Sequence, residues 1–207
     1  MQPIKNIIFD LGGVIMNIDF KKTEKAFADL GFADFSQYMT QFHITTFFEE
    51  YETGKIDDAA FIKGIQQMAA VPLTEQQVVH AWNALLLDFP LERIELLEKV
   101  KQQYRIFLLS NTNALHYEAF QHTLHALTGK MLEDIFEKTY FSHVVHLRKP
   151  GMAIYQLVLD ENKLDPAETL FIDDTASNFS GAEQAGIQTF HLKAPMTITG
   201  IPLFQNI

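Results

Sequence analysis

The sequence predicts an α/β fold, a Rossmann-like parallel sheet carrying an inserted helical-bundle cap. Three observations point there. Short runs that are apolar at consecutive positions recur at wide intervals, and each ends in small or polar residues. Helical patterns lie between them. One long interval after the first run has helical patterns but no good strand. Consecutive apolar residues suit strands buried on both faces, as in a parallel sheet covered by helices.

In order along the chain, the strand candidates are Ile7-Ile8-Phe9-Asp10, Ile106-Phe107-Leu108-Leu109-Ser110, Tyr140-Phe141-Ser142-His143-Val144-Val145, Leu170-Phe171-Ile172-Asp173 and Gln188-Thr189-Phe190-His191-Leu192. Leu91 to Tyr104 places Leu91, Ile94, Leu97 and Val100 three apart, a helical face. Met152 to Asn162 does the same with Ile154, Leu157 and Val158. Asn178 to Ala185 reads as a short helix of small residues ended by Gly186. Strand and helix alternating in this way make a doubly wound sheet.

Between roughly residues 16 and 90 lie the amphipathic segments Lys21–Leu30, Thr45–Tyr51, Asp57–Ala70 and Thr74–Leu87, broken near Gly31, Gly54 and Pro72. Crossovers are usually far shorter, so residues 16–90 are expected to form a cap, with 1–15 and 91–207 forming the core. Phe47, Phe48 and Trp82 read as packing within that cap. The tail from Ala194 carries two prolines and no period, and is left unassigned.

Composition narrows the function. The 207 residues carry a formal net charge of −10 without a dense Lys/Arg cluster, which argues against nucleic acid and against a basic membrane-surface helix. The absence of cysteine removes disulfides, thiol catalysis and thiolate metal sites. No stretch approaches the roughly 18 consecutive apolar residues of a membrane helix. A cytoplasmic protein, monomer or weak homodimer, is the expectation.

Ligands of open α/β sheets bind beyond the carboxyl ends of the strands. Those ends hold Asp10, Ser110-Asn111, Lys149 and Asp173-Asp174. Carboxylates brought together repel, so the site calls for a cation. All-oxygen ligands favour Mg2+. Singly, each feature has an ordinary reading: a turn acid at Asp10, a helix N-cap at Ser110-Asn111, a solvated lysine at Lys149, an acidic pair at a helix N-terminus. Jointly, at successive strand ends, they converge on one rim.

Phe9-Asp10-Leu11-Gly12-Gly13-Val14, Leu109-Ser110-Asn111-Thr112, Arg148-Lys149-Pro150 and Phe171-Ile172-Asp173-Asp174 resemble the four ordered motifs of the haloacid-dehalogenase-like superfamily. Ser110-Asn111-Thr112-Asn113 with Leu115-His116, and Glu52-Thr53-Gly54-Lys55-Ile56, resemble its α-glucose-1-phosphatase-like branch. The resemblance implies a phosphatase acting on a small phosphate ester, with Asp10 as nucleophile. Magnesium would be bound by Asp10, the Gly12 carbonyl, Asp173 and Asp174. Phosphate would meet Ser110, the Asn111 and Gly13 N–H groups and Lys149, while Asn113 and His116 are the expected substrate contacts.

Two positions depart from the pattern. Gly12 stands where phosphatases of this superfamily carry a second Asp as acid and base, and Asn178 stands where an Asp is frequent. A positioned acid or base contributes about 10²–10⁴-fold. Either His43 or His116 substitutes, or the leaving group needs little help, as with an anomeric phosphate, or the site is slow. His80, His122 and His125 read as surface or structural, and His143 and His146 form no convincing metal pair. Two alternatives stay open: a catalytically weak sensor, which Gly12 motivates, and a phosphomutase or phosphotransferase, which the missing acid and base makes harder. Dehalogenation fits Asp173-Asp174 less well.

Overall fold

A computed structural model describes residues 3–39, 46–205 and 207. The five strands are β1 (Asn6–Phe9), β2 (Arg105–Ser110), β3 (Lys138–Phe141), β4 (Thr169–Asp173) and β5 (Gln188–His191), all parallel in the order β3-β2-β1-β4-β5. Between β1 and β2 come α1 (Phe20–Asp29), α2 (Phe35–Met39), α3 (Thr46–Glu52), α4 (Asp58–Met68), α5 (Glu75–Asn83) and α6 (Leu91–Val100). The remaining helices are α7 (Ala114–Thr128), α8 (Leu132–Ile135), α9 (Ser142–Val145), α10 (Met152–Asn162) and α11 (Phe179–Gln184).

The consecutive apolar residues do what a doubly covered sheet requires. Side chains alternate across a strand, so Ile7, Phe9, Ile106, Leu108 and Ile172 pack with α6, α7 and α8. Ile8, Phe107, Leu109 and Phe171 face the other way, onto α10 and α11. The expected sheet with an inserted helical cap is therefore the observed architecture.

The cap has its own core, built largely of rings: Phe27, Phe32, Phe35, Phe48, Tyr51, Phe61 and Trp82. Phe27 stacks on Phe35 at 4.0 Å and Tyr51 on Phe61 at 3.9 Å. Helix starts follow their sequence signals. Asp57 caps α4 through the Ala60 N–H, and Thr74 and Gln77 form a reciprocal capping box on α5. Leu115 of α7 joins the cap cluster, so the cap core is continuous with the sheet domain.

The elements differ from the sequence expectation in several details, and the short helices α2 and α8 are also unforeseen. The run Tyr140–Val145 leaves the sheet after Phe141 and turns into α9, because the Ser142 hydroxyl is drawn into the β2 loop. It donates to the Thr112 carbonyl and accepts from the Thr112 N–H, both at 2.9 Å. Helix α7, the longest of the described helices, has no counterpart in the predicted elements; buried His116 and Gln121 interrupt its apolar face. The unassigned tail forms two short 3₁₀ turns that bury Ile198, Ile201 and Phe204 in the core beside α6. Among the described residues, no helix is long and apolar enough to cross a membrane.

Candidate active site

Sheet order and register assemble the site. β1 lies between β2 and β4, with Phe9 level with Leu108 on one side and Ile172 on the other. One step further, Asp10 emerges beside Asp173, its N–H bonded to the Ile172 carbonyl at 2.9 Å. Ser110 ends the neighbouring strand and is buried. Lys149 enters from the loop before α10.

Lys149 is the electrostatic centre of the cluster. Its side chain is 1% exposed, and its Nζ lies 2.7 Å from Asp10 Oδ1 and 2.8 Å from Asp173 Oδ2. Asn111 fixes that lysine by its backbone, donating from Nδ2 to the Lys149 carbonyl and accepting the Lys149 N–H at Oδ1, each at 2.9 Å. Through this clasp the segment after β2 holds the loop before α10 in place.

The carboxylates differ in freedom. Asp173 is fully committed: Oδ2 accepts from Lys149 and Asn178, and Oδ1 from the Thr175 N–H at 2.7 Å. Asn178 is thus a neutral donor that holds Asp173. Asp174 is half-buried, and burial together with the Asp173 charge raises its pKa. Asp10 is pushed up to about 7 by burial, with Asp173 adding and Lys149 opposing. Oxygen atoms of Asp10, Asp173 and Asp174 approach within 4.8 Å of one another. Three acids against one lysine leave uncompensated negative charge on hard oxygen donors, and such a site fits magnesium.

Gly13 has φ +73, and a Cβ there would fall on the Asp174 carboxylate. Only glycine lets the turn come this close. Its N–H, however, is donated to the Met16 carbonyl at 2.8 Å. The expectation that this N–H meets phosphate is corrected accordingly, since the turn itself consumes the donor. Gly12 lines the cavity, and a Cβ on it would lie 3.0 Å from Ile18 Cδ1.

Next to this cluster, along Leu11 and Gly12 of the β1 turn, lies a cavity of about 110 Å³ that Glu52 and Trp82 of the cap also line. Gly12, Ser110, Asn111, Asn113 and His116 border it, with apolar walls from Met16, Ile18, Phe20, Leu85 and Leu86. Asn113 and His116 are both there, but their polar atoms are engaged. Asn113 Oδ1 accepts from the His116 N–H at 3.0 Å and from Trp82 Nε1 at 3.3 Å. The imidazole stacks on Trp82 at 4.9 Å, with Nε2 3.2 Å from the Trp82 carbonyl and Nδ1 3.0 Å from Asn113 Nδ2. Nε2 therefore carries the proton, and burial lowers the His116 pKa to about 4. A neutral ring with both nitrogens occupied does not serve as the acid. The other histidine considered for that task, His43, lies outside the described residues.

Burying a neutral His116 makes stability depend on pH. The unfolded chain takes up this proton below about 6.5 and the folded chain only below about 4, so stability is full above pH 6.5 and declines as pH falls between those values. Urea unfolding at pH 7 and pH 5 should show the natural protein losing about 2 kcal/mol more than His116→Gln over that interval. Equal losses would show that the ring titrates normally.

The sequence pattern does not single out Glu52, the Asn111 clasp or the Ser142 anchor. Of these only Glu52 leaves a signal, in Glu52-Thr53-Gly54. The residue lines the cavity from the cap, and its buried Oε2 lies 2.9 Å from Arg148 Nη2.

Comparison with known proteins agrees with this geometry. A curated D-ribitol-5-phosphate phosphatase of Bacteroides thetaiotaomicron is 33% identical over 187 residues, covering 90% of this chain and 91% of the relative. A sesquiterpene phosphatase of Aspergillus oryzae is 26% identical, covering 91% and 89%. The crystal structure of a family enzyme from B. thetaiotaomicron, in complex with magnesium and inorganic phosphate, superposes with TM-score 0.86 at 35% identity, over 93% of this chain and 96% of that one. The model of the haloacid dehalogenase-like hydrolases matches residues 4–186, so on motif, fold and site alike this chain belongs to the haloacid dehalogenase-like hydrolase family.

Proposed function

We propose that this enzyme is a magnesium-dependent phosphatase that removes phosphate from a small sugar or sugar-alcohol phosphate by way of an aspartyl-phosphate on Asp10. The observation that carries the reading is the buried Asp10 held at one oxygen by Lys149, next to a cavity bordered by its neighbours Leu11 and Gly12 and by Ser110 and Asn111. With one oxygen fixed, the other is presented to phosphorus, and the displacement is split into two easier steps. The Ser110 hydroxyl and Asn111 N–H bind non-bridging phosphate oxygens, and Lys149 neutralises charge that accumulates as the ester bond breaks.

Asp10, Asp174 and the Gly12 carbonyl would hold magnesium. Asp173 would act through Lys149 or a bridging water, since both its oxygens are already engaged. When bound, the metal supplies positive charge that offsets repulsion between the nucleophile and the phosphate. Cap side chains cover the substrate and keep bulk water out.

The small cavity favours a short substrate. The ribitol-5-phosphate phosphatase supports a sugar-alcohol phosphate, while the resemblance to the glucose-1-phosphatase-like branch supports α-glucose-1-phosphate. The apolar walls at Met16, Ile18, Phe20, Leu85 and Leu86 give a second reading, a short prenyl phosphate. Phosphate release from all three, with magnesium and with chelator, separates these readings. The expected result is magnesium-dependent turnover fastest on a sugar or sugar-alcohol phosphate. Preference for the prenyl ester would replace the substrate class, and silence on every ester would overturn the phosphatase reading.

A further inference from the structure

We infer that Glu52 of the cap is the proton donor to the leaving oxygen, in place of the acid that Gly12 cannot provide; this rests on the phosphatase reading. The β1 turn carries no such acid: Gly12 has no side chain, and a Cβ there would press on Ile18 Cδ1 at 3.0 Å. Among the described residues, the titratable side chains lining the cavity are Glu52 and His116. His116 is neutral, with its Nε2–H turned to the Trp82 carbonyl.

Glu52 has the opposite character. It sits at the end of α3, opening onto the same cavity as Gly12, Ser110 and Asn111. Its Oε2 is buried and forms an ion pair with Arg148 Nη2 at 2.9 Å, with no aligned hydrogen bond among the described residues. The carboxyl is largely enclosed, with 28% of the side chain exposed.

The cap loop that carries Glu52 is fixed to the sheet domain. Gly54 adopts φ +64, and a Cβ there would fall on the His143 carbonyl. His146 Nδ1 lies 2.8 Å from the Thr53 carbonyl. These contacts hold Glu52 over the site by backbone rather than by a flexible side chain.

Charged groups around the carboxyl act in both directions. Burial raises its pKa, Arg148 and Lys149 oppose that, and Glu49 on the same helix adds to it. In the first step the Asp10 carboxylate bonds to phosphorus, the ester P–O bond breaks, and the Glu52 proton passes to the departing alkoxide. In the second, the Glu52 carboxylate takes a proton from the water that attacks the aspartyl-phosphate. Inorganic phosphate leaves, and both side chains return to their starting states.

A general acid matters in proportion to the basicity of the leaving group. An alkyl ester such as ribitol-5-phosphate needs the proton far more than p-nitrophenyl phosphate does. With magnesium present, Glu52→Gln is expected to lower kcat on the alkyl ester by about 10²-fold or more, and to lower the alkyl-to-aryl kcat ratio by at least about tenfold. The alkaline limb of the kcat profile, where Glu52 loses its proton, should disappear on the alkyl ester. Glu52→Asp should restore part of the ratio, and Arg148→Met, which removes the neighbouring charge but keeps the carboxyl, should preserve it. Thermal melting checks that each variant folds.

An equal fall on both esters, or a change in KM alone, would overturn the assignment and leave Glu52 as a cap-to-core tether with Arg148. If the natural protein is silent on both esters, the phosphatase reading fails first and this inference falls with it.

Discussion

Asp10→Asn should lower phosphate release by at least about 10⁴-fold, the scale seen when a catalytic nucleophile is removed. The substitution is nearly isosteric, and its amide oxygen can still accept from Lys149, so the packing around β1 has no reason to change. What disappears is the carboxylate that bonds to phosphorus. The same change should not destabilise the metal-free protein. Asp10 is buried beside Asp173, and its raised pKa means that the fold works against its ionisation. In chelator, the melting temperature of Asp10→Asn should hold or rise. Loss of activity without loss of stability is the pattern expected of a group retained for chemistry. A parallel fall in both would mean that Asp10 is structural.

Lys149→Met should behave differently, losing stability as well as activity. The lysine is buried and bonded to two buried carboxylates. Removing one partner from such a cluster leaves uncompensated charge and costs about 3–5 kcal/mol, a large share of the ~5–15 kcal/mol that holds a domain together. The loss should grow with pH. Without Lys149, which opposes the burial that raises the Asp10 pKa, the fold holds the Asp10 proton more strongly than the unfolded chain, which releases it above about pH 4, so stability falls as pH rises. Urea unfolding of this variant should give a lower free energy at pH 8 than at pH 5. A flat profile would show that water reaches the pair and screens it.

Much of this site is legible in the sequence because strand ends are legible. Asp10, Ser110 and Asp173 each close a run of consecutive apolar residues, and a parallel sheet brings such ends to one edge. Their order along the chain then suffices to assemble them. The cap is legible for a related reason, since its helices keep an apolar period and clear N-cap signals at Asp57 and Thr74.

What the sequence hides depends on contacts between distant segments or on the closing of a turn. The place of Glu52 is set by Gly54 meeting His143 and Thr53 meeting His146, pairs that no local pattern announces. The Gly13 N–H is lost to phosphate because the turn's own geometry closes it onto Met16. Helix α7 is obscured because its inward face carries His116 and Gln121, buried through hydrogen bonds rather than through hydrophobicity. Its boundary signals are nonetheless present, Asn113 at the N-cap and Gly129 in the left-handed C-cap conformation. The tail lacks a period because its 3₁₀ turns bury single residues, not a face.

The most direct test of the central claim is to look for the phosphoryl group on Asp10. The enzyme, turning over a sugar-alcohol phosphate with magnesium, is quenched in acid, digested and read by mass spectrometry. One phosphoryl group on the peptide containing Asp10, absent in chelator and absent in Asp10→Asn, is the predicted result. Turnover with that peptide unmodified, or with the phosphoryl group on another residue, would contradict the account.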